Sequence, residues 1–136
     1  MIVVDTNVFV YALVGASELR GNSLSVLHSS EGIVVPGSFR AEFTSALWQY
    51  IQRQELTLGQ CVNIMRYVNE IIDREVGVGT LWERALQLAV SADHPPYDAI
   101  FAALAEREGT RVVTYDQRFR LAFPDLTVSP TEFLAR

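Results

Sequence analysis

Four acids stand out by where they fall along the chain. Asp5 ends the apolar run Met1-Ile2-Val3-Val4, and Asp116 ends Arg111-Val112-Val113-Thr114-Tyr115. Glu42 comes a few residues after Ile33-Val34-Val35, and Asp98 follows the pair Pro95-Pro96. Each has an ordinary structural use. Asp98 suits a helix N-terminus, where the dipole is worth about 0.3–1 kcal/mol. Glu42 suits a solvated helix face, Asp116 a turn and Asp5 a helix cap. Brought together they pose a different problem. Two unit charges about 4 Å apart repel by about 4 kcal/mol at an effective dielectric near 20. A cluster of four therefore keeps protons or takes up a cation. The chain has no lysine to neutralise them. All-oxygen carboxylate ligation is what Mg²⁺ and Mn²⁺ favour, and such ions activate water and stabilise charge developing at phosphorus.

The elements that must position these acids follow from patterning. Short apolar runs rich in β-branched residues read as buried parallel strands: Met1–Val4, Ile33–Val35, Arg111–Tyr115 and Leu126–Val128, with a further short strand at Glu75–Val78. Helical spacing runs over 7–14 and 19–28, broken by Gly15 and Gly21, and again from Ser38, a candidate N-cap, to Ile51. Thr57-Leu58-Gly59-Gln60, Thr80-Leu81-Trp82-Glu83 and Ser129-Pro130-Thr131-Glu132 fit capping boxes, the second opening a helix to about Val90. Pro95-Pro96 opens a helix that stops at Gly109. Strands alternating with helices predict an α/β three-layer sandwich with a central, mainly parallel sheet of about five strands. In such sheets the crevice lies beyond the carboxyl ends of the strands. Asp5 and Asp116 would open onto that edge, and the helices carrying Glu42 and Asp98 would begin there.

Composition narrows the rest. The 136 residues are 49% hydrophobic and 20% charged, which predicts a single domain, 1–136, with a substantial core. A net charge of -5 excludes an all-over basic nucleic-acid coat. One cysteine and two histidines exclude an intrachain disulfide and a four-ligand zinc site of the usual kind. The absence of lysine excludes a Walker A loop and Schiff-base chemistry. It also counts against receiver domains and haloacid-dehalogenase-like phosphatases. No apolar run reaches the roughly 20 residues of a membrane span, and no basic region precedes the first apolar run, so a cytoplasmic protein is expected.

Val3-Val4-Asp5-Thr6-Asn7-Val8, then Glu42, then Tyr97-Asp98-Ala99 leading into Ala102-Ala103-Leu104-Ala105-Glu106, then Val112-Val113-Thr114-Tyr115-Asp116, resemble the PIN-domain family in this order and spacing. The likeness is to its small VapC-type toxins and covers essentially the whole chain. It implies a Mg²⁺- or Mn²⁺-dependent endoribonuclease, the toxin of a type II toxin–antitoxin pair. A homodimer is implied, with an antitoxin whose C-terminal segment occupies or blocks the acidic groove. Asp5, Asp98 and Asp116 would ligate metal. Glu42 would bind a second ion or orient the attacking water. Asn7 and Thr114 would support the site and, with Arg118, touch the RNA substrate. Arg40 and Arg120 are weaker candidates for phosphate contact. His94 is expected to cap the turn before Pro95, or else to donate to substrate. Trp48, Tyr50 and Trp82 could stack bases, but Trp48 and Tyr50 lie on a helix rich in apolar residues, and a core or dimer-interface role is expected for them. A PIN-like binding module without catalysis, and a metal-dependent nuclease or phosphatase acting on other substrates, remain the alternatives, because the residues themselves do not separate RNA from DNA.

Overall fold

The computed structural model describes residues 1–15 and 17–136. Five short strands form one sheet: β1 (Ile2–Val4), β2 (Ile33–Pro36), β3 (Arg74–Val76), β4 (Val112–Val113) and β5 (Thr127–Val128). Their order is β3-β2-β1-β4-β5 and every pairing is parallel. β1, β2 and β4 are buried throughout, as expected of parallel strands covered on both faces. Val3 lies opposite Val34 on one side and Val112 on the other. From β1 the chain builds outward to β2 and β3, then crosses back to β4 and β5. The strand order therefore reverses between β1 and β4, and crevices open at such a switch point.

Among the described residues, eight α-helices surround the sheet: α1 (Thr6–Leu13), α2 (Arg20–Leu27), α3 (Ser38–Gln52), α4 (Leu58–Ile71), α5 (Trp82–Ala92), α6 (Pro96–Glu108), α7 (Gln117–Ala122) and α8 (Pro130–Leu134). α6 packs on β1, β2 and β4 and is itself covered by α5. That double burial explains why Ala99, Phe101, Ala102, Ala103, Leu104 and Ala105 are all inaccessible, with alanines allowing close approach. Phe9 of α1 meets Phe39 of α3 at 4.5 Å between ring centroids, and Phe39 stacks on Phe43 at 5.5 Å. These rings bind the α1–α3 pair. Fully burying one such side chain is worth about 1.5–3 kcal/mol.

Local signals are realised where they are self-contained. The Thr57–Gln60 capping box is complete, with Gln60 N donating to Thr57 Oγ1 at 3.1 Å and Thr57 N to Gln60 Oε1 at 2.9 Å. α6 ends at Gly109, whose φ of 66° favours glycine. Ser129 caps α8 through Glu132 N at 3.1 Å, although the Glu132 carboxylate bonds the Ser129 hydroxyl, not its N–H.

Several expectations are corrected. Gly21 does not break α2 but sits in its first turn, where glycine costs only about 1 kcal/mol relative to alanine. Ser38 is not the cap of α3. Gly37 already has helical dihedrals, so Ser38 falls inside the first turn with its hydroxyl buried and unpaired. Thr80 does not cap α5 either. It closes a 3₁₀ turn, Val78–Thr80, and its hydroxyl is committed to Gly77 O at 2.8 Å. β3 starts earlier than expected because Val34–Pro36 take Arg74–Val76 as partners. β4 is only two residues long, and α7 after it is too short to show a helical period in sequence. No helix is long and apolar enough to cross a membrane among the described residues.

Candidate active site

A groove of about 780 Å³ opens at the carboxyl edge of the sheet, between α1 and α3, with the start of α6 on its rim; Asp5, Glu42, Asp98 and Asp116 all line it. The switch point between β1 and β4 explains the convergence. Asp5 follows β1 directly, Asp116 follows β4 after Thr114 and Tyr115, and Asp5 N donates across to Val113 O at 3.0 Å.

Asp5 caps α1. Its Oδ1 accepts from Thr6 N at 2.8 Å, and its Oδ2 accepts from Thr114 Oγ1 at 2.7 Å and Asn7 Nδ2 at 3.4 Å. Burial pushes its carboxyl up to about 6. The Thr114 bond pulls it back, while Asp98 and Asp116 add to the rise. Thr114 is fully buried. Its hydroxyl donates to Asp5 and accepts from Asp116 N at 3.0 Å and Asn7 Nδ2 at 3.2 Å, which uses its one donor and both lone pairs. Asn7 then accepts from Tyr115 N at 3.2 Å. One closed network thus fixes the ends of β1 and β4. Asp116 caps α7 through Phe119 N at 3.1 Å.

Asp98 stands in the first turn of α6 and accepts from His94 Nε2 at 2.8 Å. Burial raises its carboxyl above the usual range, the His94 bond opposes this, and Asp116 raises it further. His94 therefore does not cap the turn before Pro95, as its position had suggested. Asp93, in the left-handed conformation at φ 50°, turns the chain. The imidazole then lies against Phe119 and Phe123, each 5.7 Å away, and aims at Asp98. Glu42 is in the second turn of α3. Burial, then Asp5 and Asp98, push its carboxyl up to about 7, and its Oε2 is buried without any hydrogen-bond partner.

This donor set suits a hard divalent cation. Every candidate ligand atom is a carboxylate oxygen, one of them an orphaned acceptor, and burial, with mutual repulsion added, holds Asp5, Glu42 and Asp98 away from their ionised forms. A cation reverses that preference. Among the described residues, no three His, Cys, Asp or Glu side chains are closed around one point. Mg²⁺ does not require this, because it is commonly held by one or two carboxylates and keeps several waters.

The other expected contacts fall differently. Thr114 cannot touch substrate, since it lies beneath Asp5 with no exposed surface. Arg118 is exposed on α7 and is not part of the groove lining. Arg40 is engaged by Glu75 at 2.6 Å and Asn69 at 3.0 Å, and Arg120 by Thr114 O at 2.9 Å. Trp48 and Trp82 are 58% and 68% exposed and so lie outside the core. Tyr50 is half-buried and lines the groove, together with Tyr11 and Tyr97, which sequence reasoning passed over. The available signals were the adjacency of Tyr97 to Asp98 and the two-turn spacing of Tyr50 from Glu42.

Fold and groove together define an α/β protein with carboxylates gathered at the switch point of a parallel sheet. The PIN domain profile matches residues 2–122, and the chain belongs to the PIN-domain family of nucleases. Solved structures share the fold. PAE2754 from Pyrobaculum aerophilum is 18% identical, with 99% of this chain and 87% of that chain covered at a TM-score of 0.77. A toxin–antitoxin complex from Klebsiella pneumoniae is 17% identical over 96% of this chain and 98% of that chain, at 0.71. VapC20 from Mycobacterium tuberculosis, described as a toxin that cleaves the sarcin–ricin loop, is 18% identical over 90% of this chain and 95% of that chain, at 0.70. No curated protein sequence matches the chain.

Proposed function

We propose that residues 1–136 form one nuclease domain, that it is a metal-dependent endoribonuclease, and that it acts in the cytoplasm as the toxin of a type II toxin–antitoxin pair. The observation that carries the reading is the coupling of the acids: burial and mutual repulsion lift Asp5 to about 6 and Glu42 to about 7 at the rim of one groove. Family membership and the likeness to a ribonuclease toxin and a toxin–antitoxin complex support it.

Asp5, Asp98 and Asp116 would hold Mg²⁺ or Mn²⁺. Such an ion supplies Lewis acidity at the phosphate and lowers the pKa of water. The chain's own residues do the rest. Thr114 and Asn7 hold the Asp5 carboxylate in one orientation, and His94 holds Asp98. Glu42, which lines the groove and has a carboxyl near neutrality, takes the proton from the attacking water. Water adds at phosphorus as the bond to the 3′-oxygen breaks; the 3′-oxygen leaves as an alkoxide and takes a proton from solvent, giving a 5′-phosphate and a 3′-hydroxyl. A net charge of -5 and an acidic groove suit a basic antitoxin segment. A homodimer belongs to the same proposal.

Matched RNA and DNA strands, incubated with the protein and Mg²⁺, test the substrate. Cleavage of the RNA alone, with a 5′-phosphate on the downstream product, is expected. Equal cleavage of the DNA would contradict the ribonuclease assignment.

A further inference from the structure

Tyr115 stands between Thr114 and Asp116, yet its side chain leaves the acids. Where Thr114 reaches Asp5, the next side chain reaches Ser23 of α2, 92 residues away in sequence. Ser23 is fully buried. Its hydroxyl donates to Leu19 O at 2.6 Å, and the same carbonyl accepts Ser23 N at 3.0 Å. A carbonyl oxygen has two lone pairs and a serine hydroxyl has one proton. All are committed here. Tyr115 Oη therefore donates to Ser23 Oγ at 2.7 Å, with Leu19 O a more distant acceptor at 3.3 Å.

What this bond holds is the segment that carries Asp116. β4 is only two residues long. Past it, Tyr115 N donates to Asn7 Oδ1 at 3.2 Å and Asp116 N to Thr114 Oγ1 at 3.0 Å. Both bonds tie the segment to the side of the site where Asp5 lies. The Tyr115 hydroxyl adds a tie on the other side, to a helix with no described residue in the groove lining. The ring adds a further contact. It meets Tyr11 edge-on, with centroids 5.2 Å apart and planes at 83°, and Tyr11 lines the groove. A shift of Tyr115 would thus carry one acid and one groove wall with it, and displacements of about 1 Å at reacting groups cost about a hundredfold in rate.

We propose that Tyr115 is a positioning residue of the cleavage site: its hydroxyl bolts the Thr114–Asp116 segment to α2 through Ser23, and its ring backs Tyr11, so that Asp116 and the adjoining wall keep one geometry. Tyr115 touches neither substrate nor cation and acts through Asp116. The proposal rests on the nuclease reading and adds a residue outside the groove on which that site depends.

The test is calorimetric titration of the protein with Mn²⁺, with RNA cleavage rates measured alongside. Tyr115→Phe keeps the ring and the Tyr11 contact and deletes only the bond. It should bind Mn²⁺ about tenfold more weakly and lower kcat about tenfold, with the KM for RNA unchanged. Ser23→Ala frees a lone pair on Leu19 O for Tyr115, and should show a smaller loss in the same direction. Tyr67→Phe is the control. Tyr67 Oη lies 2.9 Å from Nε2 of His28 at the end of α2, and neither residue lines the groove. It also loses a tyrosine bond to α2, but should bind Mn²⁺ and cleave as the wild type does. Unchanged affinity and kcat in Tyr115→Phe, no loss at all in Ser23→Ala, or an equal loss in Tyr67→Phe would overturn the positioning role and leave the nuclease standing. A folded wild type that neither binds Mn²⁺ nor cleaves RNA would overturn both.

Discussion

Thr114 Oγ1 donates to Asp5 Oδ2 at 2.7 Å across 109 residues of chain, and this bond ties the end of β4 to the end of β1. It does so from a fully buried position. The hydroxyl holds the most buried of the four acids in its ionised form, against the desolvation that pushes its carboxyl up to about 6. Thr114→Val keeps the shape and deletes the bond. Asp5 then titrates higher still, and Asp116 N and Asn7 lose an acceptor. We expect a loss of about 1–3 kcal/mol, larger at pH 8 than at pH 5 because the lost bond is to the carboxylate. Thermal melts at the two pH values check this, and equal losses would place the effect in packing alone.

The raised carboxyls set the pH dependence of the protein in EDTA. Asp5 and Glu42 titrate near 6 and 7 when folded, against 3.8 and 4.5 otherwise. Between about pH 4 and 7 the folded state therefore binds more protons than the unfolded one, and stability falls as pH rises through that window. Glu42→Gln removes one such group. Its melting temperature should exceed that of the wild type at pH 8 by a few degrees, and the gap should close at pH 4. A gap of the same size at both values would contradict the electrostatic origin.

The same repulsion makes cation binding stabilising. Mg²⁺ or Mn²⁺ at about 100 times its dissociation constant should add about 2.7 kcal/mol, read as a rise in melting temperature at pH 8. The rise should shrink at pH 5, where Asp5 and Glu42 hold protons, and should vanish in Asp5→Asn. A rise that survives in Asp5→Asn would locate the ion elsewhere.

His94 separates positioning from packing. Its ring lies against both Phe119 and Phe123 while its Nε2 bonds Asp98 at 2.8 Å. His94→Phe retains the apolar contacts and removes the bond that lowers the Asp98 pKa. We expect near-normal stability, about tenfold slower cleavage, and an activity onset displaced to higher pH. An unchanged pH profile would reduce His94 to a packing residue.

What was legible in the sequence is what depends on neighbours along the chain. Asp5 and Asp116 were placed by the apolar runs before them. Asp98 was placed by Pro95-Pro96, and the ends of α4 and α6 by Thr57 and Gly109. What escaped depends on residues far apart. The His94–Asp98 bond needs the left-handed turn at Asp93 and two rings contributed by the segment around α7. The triple use of the Thr114 hydroxyl needs β1 beside β4. Periodicity gave the faces of α3 and α5 but not which face another element covers. Ala85 and Ala89 turn inward on α5, leaving Trp82 outside, while Tyr50 of α3 turned to the groove.

The central claim is that the four carboxylates form a metal-dependent ribonuclease site. Its most direct test is incubation of total RNA with the purified protein in Mg²⁺, in Mn²⁺ and in EDTA, with Asp98→Asn alongside. The account predicts cleavage that requires the cation and is lost in a mutant that remains folded. Cleavage that persists in EDTA, or undiminished in Asp98→Asn, would contradict it.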